Sequence, residues 1–64
     1  MNQIRIEAKG NQFVVQFVEN GKVQDMDSRN TYKDAEDFAF YLAERLKLDV
    51  FYQGQKVNPP RSKG

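Results

Sequence analysis

The first half of the chain alternates. Ile4, Ile6 and Ala8 are separated by Arg5, Glu7 and Lys9, the period-two pattern of a strand with one buried face. Gly10-Asn11 supplies a turn. Gln12 to Glu19 is rich in β-branched and aromatic residues and ends at Asn20-Gly21, the strongest short hairpin signal because both central turn positions need φ > 0. A third strand runs from Lys22 to the neighbourhood of Ser28.

If both turns are two-residue loops, the residues flanking each loop pair and every later pair follows. The second turn then sets Val18 opposite Val23, Gln16 opposite Asp25 and Val15 opposite Met26. The first sets Ala8 opposite Phe13, Ile6 opposite Val15 and Ile4 opposite Phe17. One face of this meander collects Ile4, Ile6, Ala8, Phe13, Val15, Phe17 and Met26. The other carries Arg5, Glu7, Val14, Gln16, Val18, Val23, Asp25 and Asp27 and is expected to meet water or a partner. Two turns assigned independently agree on a single apolar face, which supports the meander.

After Asn30 the period changes. Thr31 is a good N-cap, and Asp34, Glu36 and Asp37 follow early, where the helix dipole favours anions. Ala35, Phe38, Ala39, Leu42 and Leu46 recur at helical spacing and predict an apolar stripe on a helix starting near Tyr32. Arg45 and Lys47 complement its C-terminal end. Val50 to Gln53 reads as a fourth strand ended by Gly54, and Asn58-Pro59-Pro60 stops regular structure. The expected architecture is a single small α+β domain of order β-β-β-α-β over residues 1–57, with 58–64 as a flexible basic tail. The fourth strand has two possible neighbours, the first strand or the third. The polar third strand behaves as a free edge, so the expected order is 4-1-2-3.

Composition narrows the chemistry. Sixty-four residues without Cys or His leave out disulfides, thiolate nucleophiles, zinc fingers and every triad that needs an imidazole. A chain this short buries little surface and gains from a partner or a second copy. The start of the chain lacks a signal peptide's apolar stretch, so the expected location is the cytoplasm. Residues 1–49 hold seven Lys/Arg against nine Asp/Glu, a net −2, whereas residues 50–64 hold Lys56, Arg61 and Lys63 with no acid.

Asp25, Asp27 and Glu36 stand at positions one, three and twelve of a calcium-loop pattern. Arg29 and Asn30 break it at positions five and six, and a strand precedes it where a helix belongs. The four glycines stand apart and form no phosphate loop. A one-helix, one-sheet domain offers little cleft for a carboxylate pair. No catalytic, cofactor-binding or metal-ligating residue is therefore assigned, and the chain is expected not to be an enzyme.

Thr31 to Ala39, following a three-stranded meander, resembles the strand-to-helix junction of integrase arm-type DNA-binding domains. That resemblance covers about two thirds of the chain and implies a sheet face that reads a major groove. The charge departs from it, since Arg5 and Lys9 share that face with Glu7, Asp25 and Asp27. Nucleic-acid binding through Arg5, Lys9, Lys56, Arg61 and Lys63 is the second reading.

The first reading is a small interaction or regulatory protein that binds and modulates a larger cellular or host protein, by analogy of size and type with accessory proteins of phages, plasmids or bacteria. Val14, Val18, Val23 and Phe51 place apolar material within a ring of charges on the open face. Phe40, about 140° from Ala35, and Tyr41 on the opposite flank leave the helix's buried stripe. Aromatic side chains in such positions suit interfaces. The edge strand could also pair with a second copy.

Overall fold

Both two-residue turns set the register as expected in the computed structural model, which describes residues 2–58. Strand β1 (Gln3–Lys9) and strand β2 (Gln12–Glu19) pair antiparallel, with Ile4 opposite Phe17, Ile6 opposite Val15 and Ala8 opposite Phe13. The hairpin to β3 (Lys22–Arg29) closes with Val18 opposite Val23 and Gln16 opposite Asp25. Asn20 and Gly21 both take positive φ, 52° and 86°, which is why Asn-Gly is placed there.

Beyond Gln16 the expected register fails by one residue. A β-bulge makes Val15 pair with Asp27, Val14 with Ser28 and Phe13 with Arg29. Met26 is the extra residue and is 41% exposed, so it leaves the buried face to which simple alternation assigns it. Asp27, expected on the open face, shares the helix side with Val15. The slip has a physical reason. The helix covers β3 only at its margin, so this end of the face has no apolar slot for Met26. It does have room for Arg29, which reaches the Asp27 carboxylate at 2.7 Å and lies over the Phe38 ring at 5.2 Å.

Helix α1 (Tyr32–Leu46) starts at Thr31, whose hydroxyl accepts the Asp34 N–H at 3.2 Å. It ends at Lys47 in the left-handed region, φ 60°. Its buried residues are Ala35, Ala39 and Ala43, spaced four apart. Phe38 and Leu42 are half-buried, while Leu46, expected on the stripe, is 47% exposed. The stripe is therefore an alanine ridge that lets the helix backbone lie close to the sheet, flanked by larger side chains. It meets Ile4, Ile6, Val15 and Val50 in one core cluster. Ala8, near the tip of the first hairpin, is exposed.

The chain then passes to β4 (Val50–Tyr52), which lies parallel to β1 with Ile4 beside Val50 and Ile6 beside Tyr52. The Ile4 N–H donates to the Asp49 carbonyl at 2.9 Å. Contrary to the expected four strands, Gly54 does not end the sheet. Gln53 and Gly54 both take positive φ, 53° and 78°, and turn the chain into β5 (Gln55–Val57), antiparallel to β4. The order is β3-β2-β1-β4-β5, the expected 4-1-2-3 arrangement with one more strand outside β4. Residues 59–64, most of the expected tail, lie outside the described residues.

Width decides what this architecture leaves bare. Five strands about 4.8 Å apart put the edge strands about 19 Å from each other, whereas a helix with its side chains is about 10–12 Å across. The helix packs across β1 and β2, touches β3 and β4, and stops short of β5. The opposite sheet face carries no element among the described residues.

Docking through alanines makes a prediction that the expected leucine stripe reverses. Ala39→Leu should destabilise the fold by at least about 1–3 kcal/mol by overpacking, while Leu46→Ala should change stability by no more than about 0.5 kcal/mol. Urea denaturation of both variants, with unchanged m-values, checks this.

Candidate functional site

The sequence-derived interface residues fall on three separate surfaces. Val14, Val18, Val23 and Phe51 share the face away from the helix, because each alternates with residues that face α1. Phe40 and Tyr41 lie on opposite flanks of the helix, so the structure does not unite them with the sheet residues.

On the open face one register row crosses the whole sheet: Asp25, Gln16, Arg5, Phe51 and Lys56, on β3, β2, β1, β4 and β5 in that order. Along β1, Arg5 and Glu7 sit side by side, 3.7 Å between Nη2 and Oε1. Val14 and Val18 are each only 8% exposed although no element among the described residues covers them. Both lie on β2, between β1 and β3. Gln16, between these valines, is 3% exposed; its Nε2 donates to Asp25 Oδ1 at 2.9 Å, and its Oε1 has no hydrogen-bond partner among the described residues. The apolar surface that water reaches is peripheral: Val23, 51% exposed, with Met26. Half-buried Phe51 lines a depression with Arg5 and Glu7.

The helix flank above β3 carries a ladder. Arg29 lies over Phe38, Phe38 stacks on Tyr41 with centroids 6.3 Å apart, and Arg45 lies over Tyr41 at 5.5 Å. Exposed Tyr41 is thus held between guanidinium and ring. Contacts of this kind contribute about 0.5–1 kcal/mol each at exposed sites, enough to latch the helix to the edge strand. The edge itself is poorly suited to accept a further strand, because a bulge interrupts it and Asp25 and Asp27 flank the break.

Beside the other helix flank lies a groove of about 590 Å³ between the C-terminal half of α1 and the β4–β5 hairpin. Phe40, Ala43, Leu48, Val50 and Val57 give it apolar walls, and Glu44, Lys47, Asp49 and Lys56 stand around it. Lys56 reaches the Asp49 carboxylate at 3.7 Å. The groove exists because α1 stops short of β5. The sequence singled out Phe40, but not Leu48 or Val57, whose role depends on the unexpected fifth strand. The signal available was Gln53-Gly54 standing between Val50-Phe51-Tyr52 and Gln55-Lys56-Val57, a second hairpin pattern.

Among the basic candidates, Arg5 is paired with Glu7 and Lys56 with Asp49. Lys9 is exposed near the tip of the first hairpin. Arg61 and Lys63 lie outside the described residues. The acids of the calcium-like pattern are apart: Asp25 is held by Gln16 on the open face and Asp27 by Arg29 on the helix side. Among the described residues no group of three or more Asp or Glu is placed to hold a metal ion, and no helix is long and apolar enough to cross a membrane.

Comparison with known proteins found no matching family model, no matching characterised protein and no matching solved structure.

Tyr32, at the start of α1, packs its ring on Tyr52 at 4.8 Å and edge-on to Phe13 at 5.8 Å. Burial pushes its phenol pKa up, and the negative charge of Glu36 adds to the effect. A raised value in the folded state means that the neutral phenol favours folding. That contribution is full below the unfolded value of about 10 and is lost as the pH rises through the folded value. Between about pH 8 and about pH 11 the urea midpoint should fall less steeply in Tyr32→Phe than in the parent chain, because the substitution removes this titration but leaves the ring.

Proposed function

We propose that this chain is a small, non-catalytic interaction protein of the cytoplasm that binds a larger protein and modulates it by covering part of its surface. The groove between α1 and the β4–β5 hairpin is the docking site, and an amphipathic helix of the partner is its occupant. One observation carries the reading: an apolar groove of about 590 Å³ runs alongside a helix that is too narrow for its sheet. The helix covers about 10–12 Å of a sheet about 19 Å wide and leaves about 7–9 Å bare, against which part of a partner helix can pack. Phe40, Leu48 and Val57 would meet the partner's apolar stripe as the groove's aromatic and aliphatic anchors. Glu44 and Lys47 on the rim offer both signs of charge to its polar flanks.

Nucleic-acid binding draws less support. Arg5 and Lys56 each have a carboxylate within 4 Å, and a paired cation has less to offer a phosphate.

The test is affinity capture from lysate with tagged parent chain, Phe40→Asp and Tyr41→Asp, treated with nuclease and washed at low and moderate salt, after circular dichroism has established that each is folded. A protein retained by the parent and by Tyr41→Asp, but reduced about thirtyfold or more by Phe40→Asp, is the expected result, since a central anchor contributes about 2 kcal/mol or more. Retention of only nuclease-sensitive, salt-labile material would overturn it in favour of nucleic acid.

A further inference from the structure

The open sheet face is on the other side of the molecule from the groove, and its central feature is a charge pair. Arg5 and Glu7 are two residues apart on β1, the middle strand of the five, and their side chains project from the same face. They are separated by 3.7 Å and remain 38% and 45% exposed. Such a pair is a short dipole lying along the strand. A second identical dipole satisfies it best when turned end for end, so that each guanidinium meets the other's carboxylate.

We propose that this face binds a second copy of the chain, about a two-fold axis that crosses β1 between Arg5 and Glu7 at right angles to the strands. The Arg5 guanidinium of each copy then meets the Glu7 carboxylate of the other, and the same surface serves both sides, as a two-fold interface requires. Two sheets stacked face to face lie about 10 Å apart, a gap that the long side chains of the two faces fill.

Three further features favour a copy of this chain as the occupant. The meander alone, three strands of seven or eight residues, presents a face of roughly 15 by 25 Å. Counted flat, burying it on both copies covers about 750 Å², smaller than a permanent interface and suited to a weak, reversible dimer. Val23, Met26 and Phe51 surround the charge pair and would lose water on association. The core also has little to spare. Its largest fully buried side chains are Ile4, Val15 and Val50, and chains this small commonly gain stability by oligomerisation.

The inference is independent of the groove reading, because the groove opens on the helix side and stays free in such a dimer. Sedimentation velocity on the parent chain, Arg5→Glu, Glu7→Arg and an equimolar mixture of the two variants tests it, from about 10 µM to about 1 mM. Both sites are exposed on the sheet surface, and circular dichroism confirms that the variants are folded. The expected result is a concentration-dependent dimer for the parent, about tenfold or more weaker self-association for each variant alone, and recovery of the dimer on mixing. A parent chain that stays monomeric throughout would overturn the proposal. So would variants that dimerise as well as the parent, or a mixture no more associated than its components.

Discussion

A single helix about 10–12 Å across, held through Ala35, Ala39 and Ala43, has to cover a sheet whose edge strands are about 19 Å apart. The alanines fix where it lies. Small residues at every fourth position bring the backbone close to Ile4, Ile6 and Val15, so the helix is centred on β1 and β2. Close approach buries the middle of the sheet thoroughly and its margins little. Arg29, Phe38, Tyr41 and Arg45 extend the cover on the β3 side by stacking. On the β5 side nothing comparable among the described residues extends it, and the groove is the consequence.

The same constraint gives the two faces different chemistry. The helix side is dry at its centre and apolar at its open margin, where Phe40, Leu48 and Val57 line the groove. On the opposite side the best-protected strand is β2. Val14, Gln16 and Val18 are buried although no element among the described residues covers them, next to the half-exposed Arg5–Glu7 pair on β1. An apolar groove favours an amphipathic partner, whereas a layer of alternating charge favours a surface of matching alternation. A domain with a thin core gains stability from either kind of association.

Much of the fold was legible because it was written in turns and caps. Gly10-Asn11 and Asn20-Gly21 set the β1–β2 register and the start of β2–β3, and Thr31 marked the helix start. The polarity of β3 correctly placed β4 beside β1. What was not legible depended on packing. No residue between Gln24 and Arg29 announces a bulge. The slip is explained by the absence of an apolar slot for Met26 and by the ring of Phe38 waiting for Arg29, both properties of the folded state. Leu46 has the spacing of a core residue, but Ala43 is buried where Leu46 is not, since a stripe of alanines seats the helix closer and shifts its buried face. Strand β5 is three residues long and follows a turn in which Gln53, a residue with no preference for positive φ, occupies the left-handed region. Its absence from the sequence reading hid the groove, although Phe40 at its wall was recognised by its place off the helix stripe.

One helix leaves the β4–β5 margin open while sealing β1 and β2. Methyl-resolved solvent paramagnetic relaxation, on dilute chain with a soluble inert probe, measures this directly. Strong attenuation is expected at the Leu48 and Val57 methyls and little at those of Ile4 and Val15. Equal protection of all four would mean that the margin is covered in the free chain, and the claim of an open groove would be wrong.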